Sequence, residues 1–144
     1  MELTVKLENG APLPAHAKPG DAGLDLTSRD QVTLWPGDTR MVGTGVHVGI
    51  PEDYFGLVAP RSGLACKHNV TLANAPGVID AGYRGEIKAA LINEGSEPYL
   101  VAKGERVCQL IIVPFESVEC RAVDDLSWSE RGSGGFGSTG KEGV

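Results

Sequence analysis

Cysteine is scarce in this chain, and the three present, Cys66, Cys108 and Cys120, are widely spaced with no C-x-x-C pair. An odd, scattered set excludes a disulfide framework and fits a reducing compartment. Cys66-Lys67-His68 sets a thiol near an imidazole, but the further ligands that a zinc site needs are missing at suitable spacing. Long apolar runs are also lacking: no stretch approaches the roughly 20 residues that span a bilayer. The opening Met1-Glu2-Leu3-Thr4-Val5-Lys6 has no basic region leading into an apolar one, so no signal peptide is expected. These absences predict a soluble, cytoplasmic protein with no membrane partner. Positive charge is in deficit, with 13 Lys and Arg against 19 Asp and Glu and a formal net charge of −6. That excludes a general nucleic-acid binder, whose footprint is basic. It does not exclude a phosphate ligand, because local arginines, backbone N–H groups or a divalent cation offset charge at one site.

Glycine and proline, by contrast, are plentiful. The 20 Gly and 9 Pro are spread so evenly over the 144 residues that no long helix fits between them. The length suits one domain with a true core. Alternation dominates: Leu3, Val5 and Leu7 share one face, as do Val42, Thr44, Val46, Val48 and Ile50. Further strands are expected at Val32–Leu34, Tyr54–Ala59, Glu86–Asn93, Tyr99–Val101 and Val107–Phe115, separated by Gly-containing turns. Many short strands predict an all-β antiparallel sandwich or barrel. Leu110-Ile111-Ile112-Val113 is apolar on both faces, which places it between two layers or at a subunit contact. One short helix is expected over Ser62–His68, capped by Ser62, with Leu64 and either Cys66 or His68 turned inward. The composition changes near Ser127, so the reading is one domain over 1–126 and a flexible segment over 127–144.

Five segments invite a chemical reading. Asn74 to Glu86 reads as a β-hairpin turning over Ala81-Gly82, with Asp80 and Tyr83 held close together. Asp80 either caps the turn or sits beside the aromatic ring to activate a water against a small polar ligand. Around Pro19 to Leu26, Asp21 reads as a solvated turn, whereas Asp25 between two leucines suits a cation or a positioned water. Arg61, Ser62 and Gly63 form either a capped helix start beside a surface arginine or a set of donors for phosphate oxygens. Gln109 lies in an apolar strand, its amide satisfied by main chain or by ligand. The tail defaults to a linker. Yet Arg131, Phe136, Ser138 and Thr139 supply a cation, a stacking ring and two hydroxyls within nine residues, as a lid over a base and a triphosphate would. The tail does not match a Walker P-loop.

In order and spacing, these segments resemble the homotrimeric dUTPase family from end to end. The matching motifs are Ala22-Gly-Leu-Asp25, Pro60-Arg-Ser-Gly63, Gly77-Val-Ile-Asp-Ala-Gly-Tyr-Arg-Gly85, Arg106-Val-Cys-Gln-Leu110 and Arg131-Gly-Ser-Gly-Gly-Phe-Gly-Ser-Thr139. Cys108 departs mildly, since the family often has Ala there. The resemblance implies a jelly-roll-like homotrimer whose active sites each draw on more than one subunit, with a mobile glycine-rich tail. It also implies Mg²⁺-dependent hydrolysis of dUTP to dUMP and pyrophosphate, limiting uracil in DNA and supplying dUMP for thymidylate synthesis. On that resemblance Asp80 is catalytic and meets the sugar 3′-hydroxyl, while Tyr83 packs beneath the deoxyribose and excludes a 2′-hydroxyl. Asn74, Val78 and Ile79 read uracil, and Arg61, Ser62 and Gly63 hold phosphates. Asp25 and Gln109 order the metal through water, Gln109 and Lys88 also touch substrate, and Arg131, Phe136, Gly137, Ser138 and Thr139 close the lid. The related dCTP deaminases carry a catalytic Glu in the strand after the hairpin. Here that stretch is Lys88-Ala89-Ala90-Leu91-Ile92-Asn93, with Ala in its place, which argues against deamination. A ligand-controlled binding protein is the non-enzymatic alternative, and the presence of Asp80 speaks against a purely binding role.

Overall fold

A computed structural model describes residues 1–8 and 10–135. Short strands follow one another as alternation and turn residues dictate: β1 (Thr4–Leu7), β2 (Leu24–Thr27), β3 (Val32–Leu34), β4 (Thr39–Gly43), β5 (Val46–Gly49) and β6 (Tyr54–Pro60). After the single helix α1 (Ser62–His68) come β7 (Val70–Leu72), β8 (Gly77–Ile79), β9 (Lys88–Asn93), β10 (Tyr99–Val101) and β11 (Arg106–Pro114). The strands form small antiparallel sheets ordered β1-β5, β3-β10, β2-β11-β6-β8 and β4-β9-β7, the all-β, jelly-roll-like architecture expected. Among the described residues no helix is long and apolar enough to cross a membrane.

The alternating stretch from Val42 to Ile50 proves to be two strands rather than one. All five of its inward residues are buried, but β4 pairs with β9 whereas β5 pairs with β1. The break lies at Gly45, whose φ of +69° suits glycine, and a Cβ there would crowd Ala11 and Arg29. Thr44 makes the change of sheet possible without an orphaned polar group: its buried hydroxyl donates to the Ile87 carbonyl at 2.6 Å.

Leu26, Leu34, Leu91 and Leu110 anchor one core, joined by Val70, Ile87 and Val101. Asn93 is wholly buried and bonded on all sides. Its amide donates to Leu34 and Glu97 carbonyls at 2.9 and 2.8 Å and accepts from Gly95 N–H at 2.9 Å, fixing the sheets to one another. Along β11, Leu110 is buried while Ile111, Ile112 and Val113 remain partly exposed on the single chain.

The expected Asn74–Glu86 hairpin is not formed. β8 pairs with β6, and β9 pairs with β4 and β7, so the two arms of the turn belong to different sheets. The helix has the expected bounds, but Arg61, not Ser62, occupies the N-cap, with no side-chain cap bond. Leu64 faces inward as expected, whereas Cys66 is exposed. His68 also remains exposed and rests against Tyr99, ring centroids 4.7 Å apart.

Candidate active site

The predicted site residues gather in two places on the chain. The first is a polar cavity of about 340 Å³ lined by Gly23, Asp25, Arg61, Ser62, Gly63 and Gln109, among others. Two strands and a helix start build it. Asp25 on β2 lies directly opposite Gln109 on β11, which lies opposite Ala59 on β6, and cross-strand partners of this kind hold their side chains on one face. Gln109 donates from Nε2 to the Pro60 carbonyl at 3.1 Å, so main chain satisfies its donor side and Oε1 remains an acceptor. Gly23 packs so closely on that amide that any Cβ would overlap it. Asp25 does not stand alone, as an isolated cation ligand would. Arg61 Nε lies 3.3 Å from Oδ1 and Arg106 Nη1 donates to Oδ2 at 2.9 Å. Two guanidiniums around Asp25 offset that carboxylate and the Asp21 carboxylate that also lines the cavity, and their remaining N–H groups suit phosphate oxygens. The helix start adds the N–H groups of Ser62 and Gly63, which have no intrahelical acceptor.

Arg106 appears in a motif but carries no assigned role, and its placement depends on a β-bulge. The β11 register against β2 shifts between Arg106 and Cys108, so Val107 and Cys108 are both buried. That extra residue returns Arg106 to the face of Gln109 and Asp25. A strict period of two would put Arg106 and Gln109 on opposite faces.

The second place is a cavity of about 270 Å³ lined by Val78, Ile79, Asp80, Tyr83, Lys88 and by Met41 and Glu86, which the sequence reading missed. The Asp80–Tyr83 turn closes through backbone, Tyr83 N–H donating to the Asp80 carbonyl at 3.0 Å. Asp80's exposed carboxylate is therefore not what closes the turn. Tyr83 is positioned by its hydroxyl, which donates to the Glu86 carbonyl at 3.1 Å. Glu86 in turn accepts from Gly45 N–H at 2.8 Å and pairs with Lys88 Nζ at 3.6 Å. Asn74 and Arg131 line neither cavity. Phe136, Gly137, Ser138 and Thr139 lie outside the described residues.

A family profile described as dUTPase matches residues 9–140. The chain belongs to the dUTPase family. The deoxyuridine 5′-triphosphate nucleotidohydrolase of Clostridium kluyveri is 49% identical over 97% of this chain and 99% of its own length. That of Leifsonia xyli is 51% identical over 89% and 85%. Among solved structures, the dUTPase of Staphylococcus bacteriophage 80alpha with dUPNHPP superposes with a TM-score of 0.91 at 34% identity, covering 97% of this chain and 99% of that one. A variant of the dUTPase from phage phi11 of S. aureus, described with a coordinated structural Mg(II) ion, has a TM-score of 0.82 at 28% identity, covering 89% and 100%. Both site clusters fall within the matched dUTPase segment.

Proposed function

We propose that this protein hydrolyses dUTP to dUMP and pyrophosphate by attack of water on the α-phosphorus. The observation that carries the reading is the division of the site residues between two separate cavities: one holds a solvent-facing carboxylate beside a tyrosine, the other guanidinium, hydroxyl and amide groups. Neither is a complete site for a nucleoside triphosphate. In a homotrimer, the Asp80 cavity of one subunit faces the Asp25–Gln109 cavity of another, and the nucleotide lies between them.

In that assembly Asp80 accepts a proton from the attacking water. A bond forms from the water oxygen to the α-phosphorus, and the bond to the bridging oxygen of the β-phosphate breaks, releasing pyrophosphate. Tyr83 supports the deoxyribose and leaves no room for a 2′-hydroxyl. Val78, Ile79 and Asn74 meet the uracil, and Lys88 lies at the cavity edge. Arg61, Ser62 and Gly63 hold phosphate oxygens, which is most of what phosphoryl transfer needs from a protein. Arg131, Phe136, Gly137, Ser138 and Thr139 complete the enclosure as a closing segment over residues 127–144.

The donor set fits Mg²⁺. Among the described residues no cluster of three His, Cys, Asp or Glu side chains holds an ion unaided. Mg²⁺ keeps much of its water and takes one or two carboxylates together with substrate phosphates. Asp25, although paired with Arg61 and Arg106, and the Gln109 carbonyl oxygen would hold the waters of such an ion rather than the ion itself. When bound, the ion neutralises phosphate charge and makes the phosphorus more electrophilic.

Hydrolysis in heavy-oxygen water tests the bond assignment. The label is expected in dUMP, and label in pyrophosphate would place the attack elsewhere.

A further inference from the structure

We propose that His47 is a positioning residue, its doubly protonated imidazole bracing the Tyr83–Arg84 turn so that the fit of dUTP loosens when His47 loses a proton. The proposal rests on the reading of Tyr83 as the support of the deoxyribose.

His47 stands on β5 directly opposite Lys6 on β1. Its half-buried ring joins two elements: Nδ1 lies 3.0 Å from the Arg84 carbonyl oxygen, and Nε2 lies 3.1 Å from Glu8 Oε1. Both neighbours are acceptors. A main-chain carbonyl has no proton to give, and Glu8 is an ionised carboxylate also paired with Arg29. A neutral imidazole has one N–H and one lone pair, so it satisfies one of these oxygens and turns a lone pair toward the other. The imidazolium donates to both. The geometry itself thus specifies the charged ring.

The charged groups around the ring act on that state in both directions. Lys6 opposes it from β1. Glu8 favours it, Arg29 sits beyond Glu8 and reaches to 3.8 Å from Glu86, and the Arg84 guanidinium folds back on the Ala81 and Tyr83 carbonyls at 2.5 and 2.8 Å. The Arg84 carbonyl first, and then Glu8, raise the His47 pKa above its ordinary value against desolvation and Lys6. Glu8 is lowered in return, chiefly by the hydrogen bond from His47. The brace is therefore complete while Glu8 is ionised and His47 is charged, and it is lost as pH rises through the raised His47 value.

Its effect reaches the site through one peptide bond. Arg84 follows Tyr83, so the carbonyl that His47 holds closes the far side of the turn that carries Tyr83 and Asp80. The near side is tied by the Tyr83 hydroxyl to Glu86, and by Glu86 to Gly45. Of these tethers, His47's depends on a titrating proton, which it keeps to a higher pH than an ordinary histidine does.

The test compares KM and kcat for dUTP from about pH 6 to about pH 9 in the wild type and in His47→Arg, whose guanidinium donates more than once and does not titrate. In the wild type KM is expected to rise about three- to tenfold across the titration, the worth of one hydrogen bond, with kcat changing less. His47→Arg is expected to flatten that rise. Nitrogen NMR of the wild-type imidazole supplies a second readout that does not depend on His47→Arg: both ring nitrogens protonated below a midpoint that lies above the ordinary histidine value, and that midpoint lowered by Glu8→Gln. Superimposable KM profiles in the two proteins, with dUTP still cleaved, would overturn the brace and leave the proposed activity standing. So would a His47 midpoint at or below the ordinary histidine value. A wild type that cleaves no dUTP at any pH would sink both.

Discussion

The ring end of Tyr83 lies against the backbone of Gly85, so close that any Cβ at Gly85 would overlap the phenol. The tyrosine thus owes its placement to a missing side chain two residues later as much as to the hydrogen bond from its hydroxyl. Gly85→Ala is expected to push the ring into the Asp80 cavity. Since overpacking costs about 1–3 kcal/mol, dUTP should lose about tenfold or more in kcat/KM, with a greater loss for UTP, whose 2′-hydroxyl needs the space the ring enters, and hence sharper discrimination. Steady-state kinetics on both nucleotides checks this; an unchanged ratio would remove Tyr83 from sugar selection.

Asp80→Asn keeps the shape of the side chain and removes its basicity. Because the backbone closes the turn, the fold and Tm should hold, while kcat falls by about 10²–10⁴, the usual worth of general-base assistance. Thermal melting and single-turnover rates measure the two halves separately.

Arg106→Gln separates charge from stability. Its pair with Asp25 is half exposed, and pairs of that kind contribute about 0–1 kcal/mol, so Tm should barely move. Asp25 would then draw Arg61 more strongly, and KM for dUTP should rise about three- to tenfold, the worth of one ordinary hydrogen bond. An effect on Tm without one on KM would make Arg106 merely structural.

Cys108 is buried, and burial, with a lesser contribution from Asp25, pushes its thiol up to about 12. The reactive thiolate is therefore absent near neutral pH. In a Cys66→Ser/Cys120→Ser variant, a thiol reagent at about pH 8 should label nothing until denaturant is added. Rapid labelling of the native protein would contradict the packing of β11.

Much of the fold was legible because short alternating runs lie between strong turn residues: Val32–Leu34 and Tyr99–Val101 have the bounds their patterns implied. The hairpin was not legible. Gly77–Ile79 and Lys88–Asn93 look like two arms of one turn, but their partners lie far away in sequence, on β6, β4 and β7. Local pattern carries no information on such pairing. For the same reason Ser62 looked like a cap although the chain enters the helix one residue earlier. Arg106 escaped because a bulge reverses its face, and Met41 and Glu86 because only the folded chain brings them to Asp80. The Asp25 cluster was the most legible part: its residues came from three motifs whose residue types made sense only together.

The shared site predicts a trimer that depends on assembly for activity. Sedimentation should give three times the 15.1 kDa protomer, and mixing Asp80→Asn with Gln109→Ala subunits should restore part of the turnover that each lacks. Activity in a stable monomer would contradict the division of the site between subunits.

The proposed chemistry is tested most directly by pyrophosphate release from dUTP, dCTP, dTTP and UTP, each with and without Mg²⁺. Rapid release from dUTP alone, lost on chelation of the metal, is the predicted result. Comparable release from UTP, or ammonia from dCTP, would contradict it.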